Sequence, residues 1–312
     1  MTDVAMAGGL SALVSPRGRV LPVVTIVAAI IVLWYALAVL LNWPQVTAMM
    51  ANNNQMGTTS EIIGATWAMD RPILPSPHQV VVEFWKTTVG TAPTSKRSLL
   101  YHAWITASAT MLGFAFGAIL GMLLAVGIVH VKTLDRSLMP WIIASQTVPI
   151  LAIAPMIIVI LANIKFDVLD YHVTIPPLVA KAIISMYLCF FPVTIGMVKG
   201  LRSPDLLQLD LMRTYSAGTW DVFWKLRLPA SIPFLFASMK VAIAISLVGT
   251  IVGELPAGAN GGLGARLLSG SYYGQTVQIW SALFMAAILG SVLVYAMGGI
   301  ERLTLKRMGV RA

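Results

Sequence analysis

The stretch SPDLLQLDLMRTYSAGTWDVFWKLRLP, residues 203–229, is a polar island between two long apolar runs. It reads as two short helices joined by a turn. Ser203 before Pro204 suits an N-cap followed by a first helical position. Ala217-Gly218 closes that helix. Thr219 caps a second, which Pro229 stops. Neither helix can bury its apolar side alone, so Leu206, Leu209, Met212, Phe223 and Trp224 need a partner surface or lipid headgroups. A polar excursion of this kind, flanked by runs long enough to cross a bilayer, belongs to a helical membrane protein.

Composition agrees. The chain of 312 residues is 58% hydrophobic and 11% charged, against about 25% charged in soluble domains, and its mean hydropathy is +0.83. Backbone polar groups in lipid must be satisfied within the segment, so continuous apolar runs become helices. A β-barrel would instead alternate over segments of about ten residues. The expected fold is all-α and integral to the membrane. Six spans are expected, at about 21–41, 104–129, 138–162, 175–199, 231–254 and 277–299, each of roughly the 20 residues a crossing needs. Residues 1–20 form the N-terminus and 21–41 a retained anchor, because the apolar run is too long for a signal peptide and lacks a convincing cleavage site. Residues 42–103 form a segment too polar to span, with an interfacial helix over Val80–Val89 that sets Phe84 and Trp85 at headgroup level. Residues 104–300 are the core, including the 203–229 loop, and 301–312 are a basic tail.

Loop charges orient the chain. Thirteen Lys/Arg fall on the side of the termini: Arg17, Arg19, Lys132, Arg136, Lys199, Arg202, Arg213, Lys225, Arg227, Arg302, Lys306, Arg307 and Arg311. Six fall opposite: Arg71, Lys86, Lys96, Arg97, Lys165 and Arg266. The positive-inside rule puts both termini and the 203–229 island in the cytoplasm. The net charge of +9 therefore serves lipid orientation rather than nucleic acid. The lone Cys189 cannot form an internal disulfide. His78, His102, His130 and His172 are scattered, and no metal site follows.

Gly113, Gly117 and Gly121 lie four apart, so their helix packs closely either within the subunit or against a second copy. Gly258–Gly264 lacks the Gly-Lys-Ser/Thr ending of a phosphate loop and follows a membrane helix, so it reads as a flexible external turn. Lys240 snorkels to the headgroups. Lys181 either snorkels outward or faces a pathway. Polar residues recur at helical spacing: Lys181, Ser185 and Cys189; Ser238, Ser246, Thr250 and Glu254; and Ser145, Gln146 and Thr147 beside Pro149. From these stripes a pathway is expected to use Gln146, Lys181, Ser185, Ser246, Thr250 and Glu254.

The island resembles the cytoplasmic signature loop of ABC-importer permease subunits, which runs Glu-Ala-Ala, three residues, Gly, then a hydrophobic stretch ending in Leu-Pro. Asp210-Leu211-Met212 stands at the Glu-Ala-Ala positions, Arg213-Thr214-Tyr215 follows, and Ser216 takes the Gly position. Trp220, Phe223, Lys225, Leu228 and Pro229 match the second half. FFPVTIGMVKGLRS (190–203), SMKVAIAISLVGTIVGE (238–254), GGLGARLLSGSYYGQT (261–276) and ERLTLKR (301–307) agree too. The resemblance covers about residues 75–310, as a motif-level match, and is closest to the nitrate, sulfonate, taurine and heterocycle branch. Asp210 departs from the usual Glu and Ser216 from the usual Gly. Either the turn is displaced or Ser216 sits in a right-handed helical conformation.

The resemblance implies the fold of a type I ABC-importer permease. It also implies a docking surface for an ATPase subunit made of Asp210, Arg213, Thr214, Ser216, Ala217 and Gly218. Further implications are a second permease copy (a homodimer), an external substrate-binding protein, and residence in the bacterial inner membrane. The chain is then a transport subunit and not an enzyme, with no cofactor of its own, and ATP and Mg bind on the partner ATPase. The segment GELPAGANGGLGARLLSGSYYGQT (253–276) looks like that of permeases for pyrimidine- or riboflavin-type heterocycles, with Tyr272 and Tyr273 as stacking surface. The alternatives are a sulfonate, taurine or nitrate importer, and an ion-coupled carrier. The carrier needs buried acids at mid-membrane, whereas Asp167, Asp170 and Glu254 fall at or beyond span ends.

Overall fold

A computed structural model describes residues 20–54, 57–168, 171–256 and 261–309. Arg17, Arg19 and Arg311, which enter the charge count, lie outside the described residues. The helices are α1 (Val20–Asn52), α2 (Thr59–Ala68), α3 (Pro77–Thr88), α4 (Leu99–His130), α5 (Lys132–Ser145), α6 (Ile150–Asn163), α7 (Pro177–Leu201), α8 (Leu206–Thr214), α9 (Thr219–Glu254), α10 (Leu263–Tyr272) and α11 (Thr276–Arg307). The fold is all-helical apart from one antiparallel hairpin between α6 and α7. It pairs β1 (Lys165–Val168) with β2 (Tyr171–Thr174), in a register that sets Lys165 opposite Thr174.

Among the described residues five helices, α1, α4, α7, α9 and α11, are long and apolar enough to cross a bilayer, and the pair α5–α6 brings the number to six if it counts as one crossing. The expected continuous span at 138–162 is therefore corrected to two half-helices bent by 99°. The cause is local. Pro149 cannot donate to the helical ladder and disfavours helical geometry at the residue before it. It stands in extended backbone as the N-cap of α6.

The bent pair runs from one end of the bundle to the other. Asp135, near the start of α5, pairs with Arg202 at the end of α7 (2.8 Å). Ser145, at the end of α5, accepts a hydrogen bond from the Tyr187 hydroxyl near the middle of α7 (2.6 Å). The hairpin then joins the end of α6 to the start of α7.

The chain forms two compact units. In one, the described residues up to Lys86 associate with Tyr273–Ser281. Here the segment after α1 is well anchored. The buried Asn42 donates from Nδ2 to the carbonyls of Leu74 (2.9 Å) and Thr66 (3.4 Å), and its Oδ1 accepts from the Ile73 (2.8 Å) and Leu74 (3.2 Å) N–H groups. Trp34 donates to the Pro75 carbonyl (2.9 Å). Thr58 and Glu61 form a capping box that starts α2. Hydrogen bonding from Thr58 holds the Glu61 carboxyl below the usual carboxylate range.

In the other unit, Thr87–Tyr272 with Ala282 onward, the core is a three-helix layer of α4, α7 and α9. A Cβ built at Gly113 would strike Ser185, one at Gly117 the Cys189 sulfur, and one at Gly121 Val193 and the Phe190 carbonyl. From the other side, a Cβ at Gly249 would meet Ser185 and Leu188 at 3.0 Å, and one at Gly253 would meet Ile184 at 3.2 Å. Thus α7 lies between two glycine faces, and dispersion at short range takes the place of a hydrophobic drive that lipid does not supply. The Gly113–Gly117–Gly121 row packs within the subunit, which settles one of the two expected readings.

Candidate functional site

The 203–229 island is two helices and a turn, with boundaries shifted from the expected ones. Ser203 folds back and donates to the Gly200 carbonyl (2.7 Å), so it does not open α8. Asp205 does, with Gln208 completing a capping box. The helix ends before Ala217-Gly218: Ser216 N–H bonds to Arg213 O (2.8 Å) and Ala217 N–H to Met212 O (3.0 Å). These are the two bonds of a Schellman cap, and they place Ser216 at φ +53. The expected alternatives for Ser216, a displaced turn or a right-handed conformation, are both corrected. Serine holds the left-handed position in an undisplaced turn, where glycine is the usual solution. Gly218, not Thr219, is the N-cap of α9.

Pro229 does not stop the second helix. Residues Phe223–Arg227 form a π-turn, in which Leu228 N–H bonds to Phe223 O. The widened turn shifts the ladder where Pro229 has no donor to give. The helix therefore continues without a break from Thr219 to Glu254. Phe223 is also corrected: it is buried beside Ile128, Met197 and Leu201, with the His130 ring 5.3 Å away.

No residue of α8 is buried. Leu206, Leu207, Leu211, Tyr215, Trp220 and Trp224 are all exposed. Asp210 pairs with Arg213 (2.9 Å), and Thr214 donates to the Asp210 carbonyl (3.0 Å). Ala217 is half-buried and Gly218 exposed. The six expected docking residues thus lie on one short helix and the turn that follows it.

At the other end of α9 the structure closes a buried polar seam. Glu254 accepts from the Thr106 hydroxyl (2.9 Å) and from Gly264 N–H (2.9 Å). Lys181 lies 3.7 Å from Glu254 Oε1 and donates to the Gly261 carbonyl (2.8 Å). Leu263 N–H donates to Thr106 (2.9 Å), and Gly262 N–H donates to His102 Nδ1 (3.0 Å). Since Nδ1 accepts, Nε2 carries the proton toward the Lys96 carbonyl (2.9 Å). Gly262 stands at φ +116, where a Cβ would strike the Glu254 carboxylate. The expected flexible turn is corrected for Gly261–Gly264, which are tied down; residues 258–260 lie outside the described residues.

Deeper in the seam, Thr110 and Thr250 meet at 3.0 Å, Ser246 donates to the Thr110 carbonyl (3.0 Å), and Ser185 donates to the Ser246 carbonyl (2.9 Å). The stripes expected to line a pathway face one another instead. Lys181, Ser185, Ser246, Thr250 and Glu254 are buried inside one protomer. Burial without partners would cost each group heavily, and the seam supplies the partners. Gln146 differs, because it is exposed at the α5–α6 bend. Lys240, expected to snorkel, pairs with Glu301 (2.7 Å). Tyr272 and Tyr273 are exposed. Among the described residues no cluster of His, Cys, Asp or Glu could hold a metal ion.

The seam also uses residues the sequence reading missed: His102, Thr106 and Thr110. Thr106 and Thr110 are four apart and continue toward Gly113 and Gly117, so the signal was a polar extension of the glycine face.

Comparison with known proteins bears on the whole arrangement. The family model described as binding-protein-dependent transport system inner membrane component matches residues 117–310. The formylaminopyrimidine transport permease protein ThiX of Halalkalibacterium halodurans is 27% identical over 235 residues, covering 75% of this chain and 85% of that protein. The riboflavin transport system permease protein RibX of Chloroflexus aurantiacus is 28% identical, with 75% and 80% covered. The putative aliphatic sulfonates transport permease protein SsuC of Bacillus subtilis is 25% identical, with 79% and 82% covered. A crystal structure of an amino acid ABC transporter with histidines matches in fold with a TM-score of 0.50 at 14% identity, covering 67% of this chain and 93% of that one. The chain belongs to the binding-protein-dependent transport system inner membrane component family, and is a multi-pass ABC-importer permease of the sulfonate and heterocycle branch, whose ATPase is a separate subunit.

Proposed function

We propose that two copies of this chain form the solute path of an importer for a small organic heterocycle of pyrimidine or flavin type, delivered by an external binding protein. An ATPase subunit docks on each α8 and the following turn, through Asp210, Arg213, Thr214, Ser216, Ala217 and Gly218. ATP and Mg bind on those partner subunits. Both termini face the cytoplasm, with the α5–α6 pair counted as one crossing. The observation that carries the docking reading is α8 itself: a capped, ordered helix with no buried residue, followed by a helix that runs unbroken through the membrane. A short helix with no fully buried residue takes its stability from a partner more than from propensity. ATP binding shifts the two-state equilibrium of the path only by binding its states unequally.

The solute class rests on the names of the relatives and on paired charges. Lys181 of α7 and Lys240 of α9 are each matched to a glutamate, so neither stands ready for a sulfonate. The test is reconstitution of the chain with its ATPase and binding protein in proteoliposomes. Riboflavin or formylaminopyrimidine on the binding protein is expected to stimulate ATP hydrolysis; stimulation by an aliphatic sulfonate alone would move the solute to that class. Labelling of Tyr215→Cys from outside intact cells would overturn the orientation.

A further inference from the structure

We infer that the α5–α6 bend, at Gln146 and Thr147, lines a water-filled path at mid-membrane and meets the solute through uncharged hydrogen-bonding groups. The inference rests on the permease reading above and deepens it. The bend interrupts a stretch otherwise apolar enough to span. Its depth is set by Tyr187, near the middle of α7, whose hydroxyl donates to the Ser145 carbonyl (2.6 Å). At the bend the regular ladder ends: Gln146 N–H turns back to Ile143 O (3.1 Å) and Thr147 N–H to Ala144 O (3.0 Å).

Gln146 and Thr147 are exposed in the protomer. Irregular backbone at this depth is not tolerated against lipid; it lies against protein or beside water. Broken helices in membrane transporters place polar groups at the solute path on the same grounds. Two neutral side chains present the contact. The Gln146 amide offers donors and an acceptor, with only a long contact to Ser145 Oγ (3.4 Å). The Thr147 hydroxyl donates to the Ala144 carbonyl (2.8 Å) and keeps its lone pairs as acceptors. The buried seam of Ser185, Ser246, Thr250 and Glu254, by contrast, is spent within the protomer. The solute favoured by the bend is polar and uncharged.

The experiment is cysteine labelling of the chain in native membranes with a charged, membrane-impermeant thiosulfonate. Thiols react as thiolates, which form in water and not in hydrocarbon. Gln146→Cys and Thr147→Cys are expected to react at least about tenfold faster than Leu33→Cys, an exposed apolar position of α1. Equal rates, or no reaction at the bend, would overturn the inference. Added riboflavin is expected to slow labelling of Gln146→Cys while taurine does not; protection by taurine alone, or by neither, would overturn the uncharged contact. The labelling is read on the chain itself. Failure to co-purify an ATPase would therefore fall on the docking reading and leave the result at the bend standing.

Discussion

Lys181 Nζ and Glu254 Oε1 lie 3.7 Å apart, with 2% and 0% of their side chains exposed. The pair ties α7 to α9, and through Thr106 and Gly261–Gly264 it also fixes α4 and the start of α10. A buried pair of this kind is a weak source of net stability, but removing one member leaves an uncompensated charge and typically costs about 3–5 kcal/mol. Lys181→Met is therefore expected to lower the thermal stability of the detergent-solubilised chain sharply, and Glu254→Gln to do so as well. The double variant should recover much of the loss. Additive losses, measured by size-exclusion after heating, would show that the two residues do not act as a unit.

Ser216 offers a gain. A non-glycine residue in the left-handed region costs about 1–2 kcal/mol, partly offset by the greater freedom that glycine loses on folding. Ser216→Gly should raise hydrogen-exchange protection of residues 206–222 by the equivalent of about 1 kcal/mol. Ser216→Val should lower it, because branching at Cβ makes that conformation worse. Unchanged exchange in both variants would mean that the turn is not held as described.

Ala217 tests docking. An arginine there meets the partner where close approach is needed, and overpacking commonly costs about 1–3 kcal/mol, or up to roughly a hundredfold in affinity. Ala217→Arg should insert and fold normally but lose ATPase co-purification. Thr94→Arg, at an exposed position between α3 and α4, should insert, fold and keep the ATPase. Wild-type assembly and transport by Ala217→Arg would move the exposed face of α8 to the lipid surface instead.

Gly117 tests the α4–α7 contact. A Cβ at Gly117 would strike the Cys189 sulfur. Gly117→Ala should destabilise the chain by about 1–3 kcal/mol, and adding Cys189→Ala should restore much of that by vacating the same volume. If the second change deepens the loss, the two helices do not meet at this point.

Hydropathy and turn chemistry made the membrane class, most span positions and the loop legible, because apolar runs and Pro/Gly punctuation act locally. The bend at Pro149 was present in the sequence, but the apolar run around it reads as one span unless backbone geometry is weighed above hydropathy. Pro229 misled in the other direction, since a π-turn absorbs it. The polar stripes of α7 and α9 were found at the correct period. Their destination was not, because i+4 spacing tells which residues share a face and is silent on what that face meets. Thr106 and Thr110 decide the matter from a third helix, more than 60 positions before Lys181 in number, and a pairing of that range has no local signature.

The unbroken course of α9 has a mechanical consequence. Its 36 residues make a rod of about 54 Å at 1.5 Å per residue. One tip follows the Ser216–Gly218 turn and the other is clamped by the Lys181 ammonium and the Thr106 hydroxyl. A rod converts a small tilt at one tip into an opposite displacement at the other, with the glycine-lined contact on α7 as fulcrum. The π-turn at Phe223–Arg227 interrupts the regular ladder of that shaft. Stiffening it would change how much of a tilt at one tip reaches the other, without altering either end.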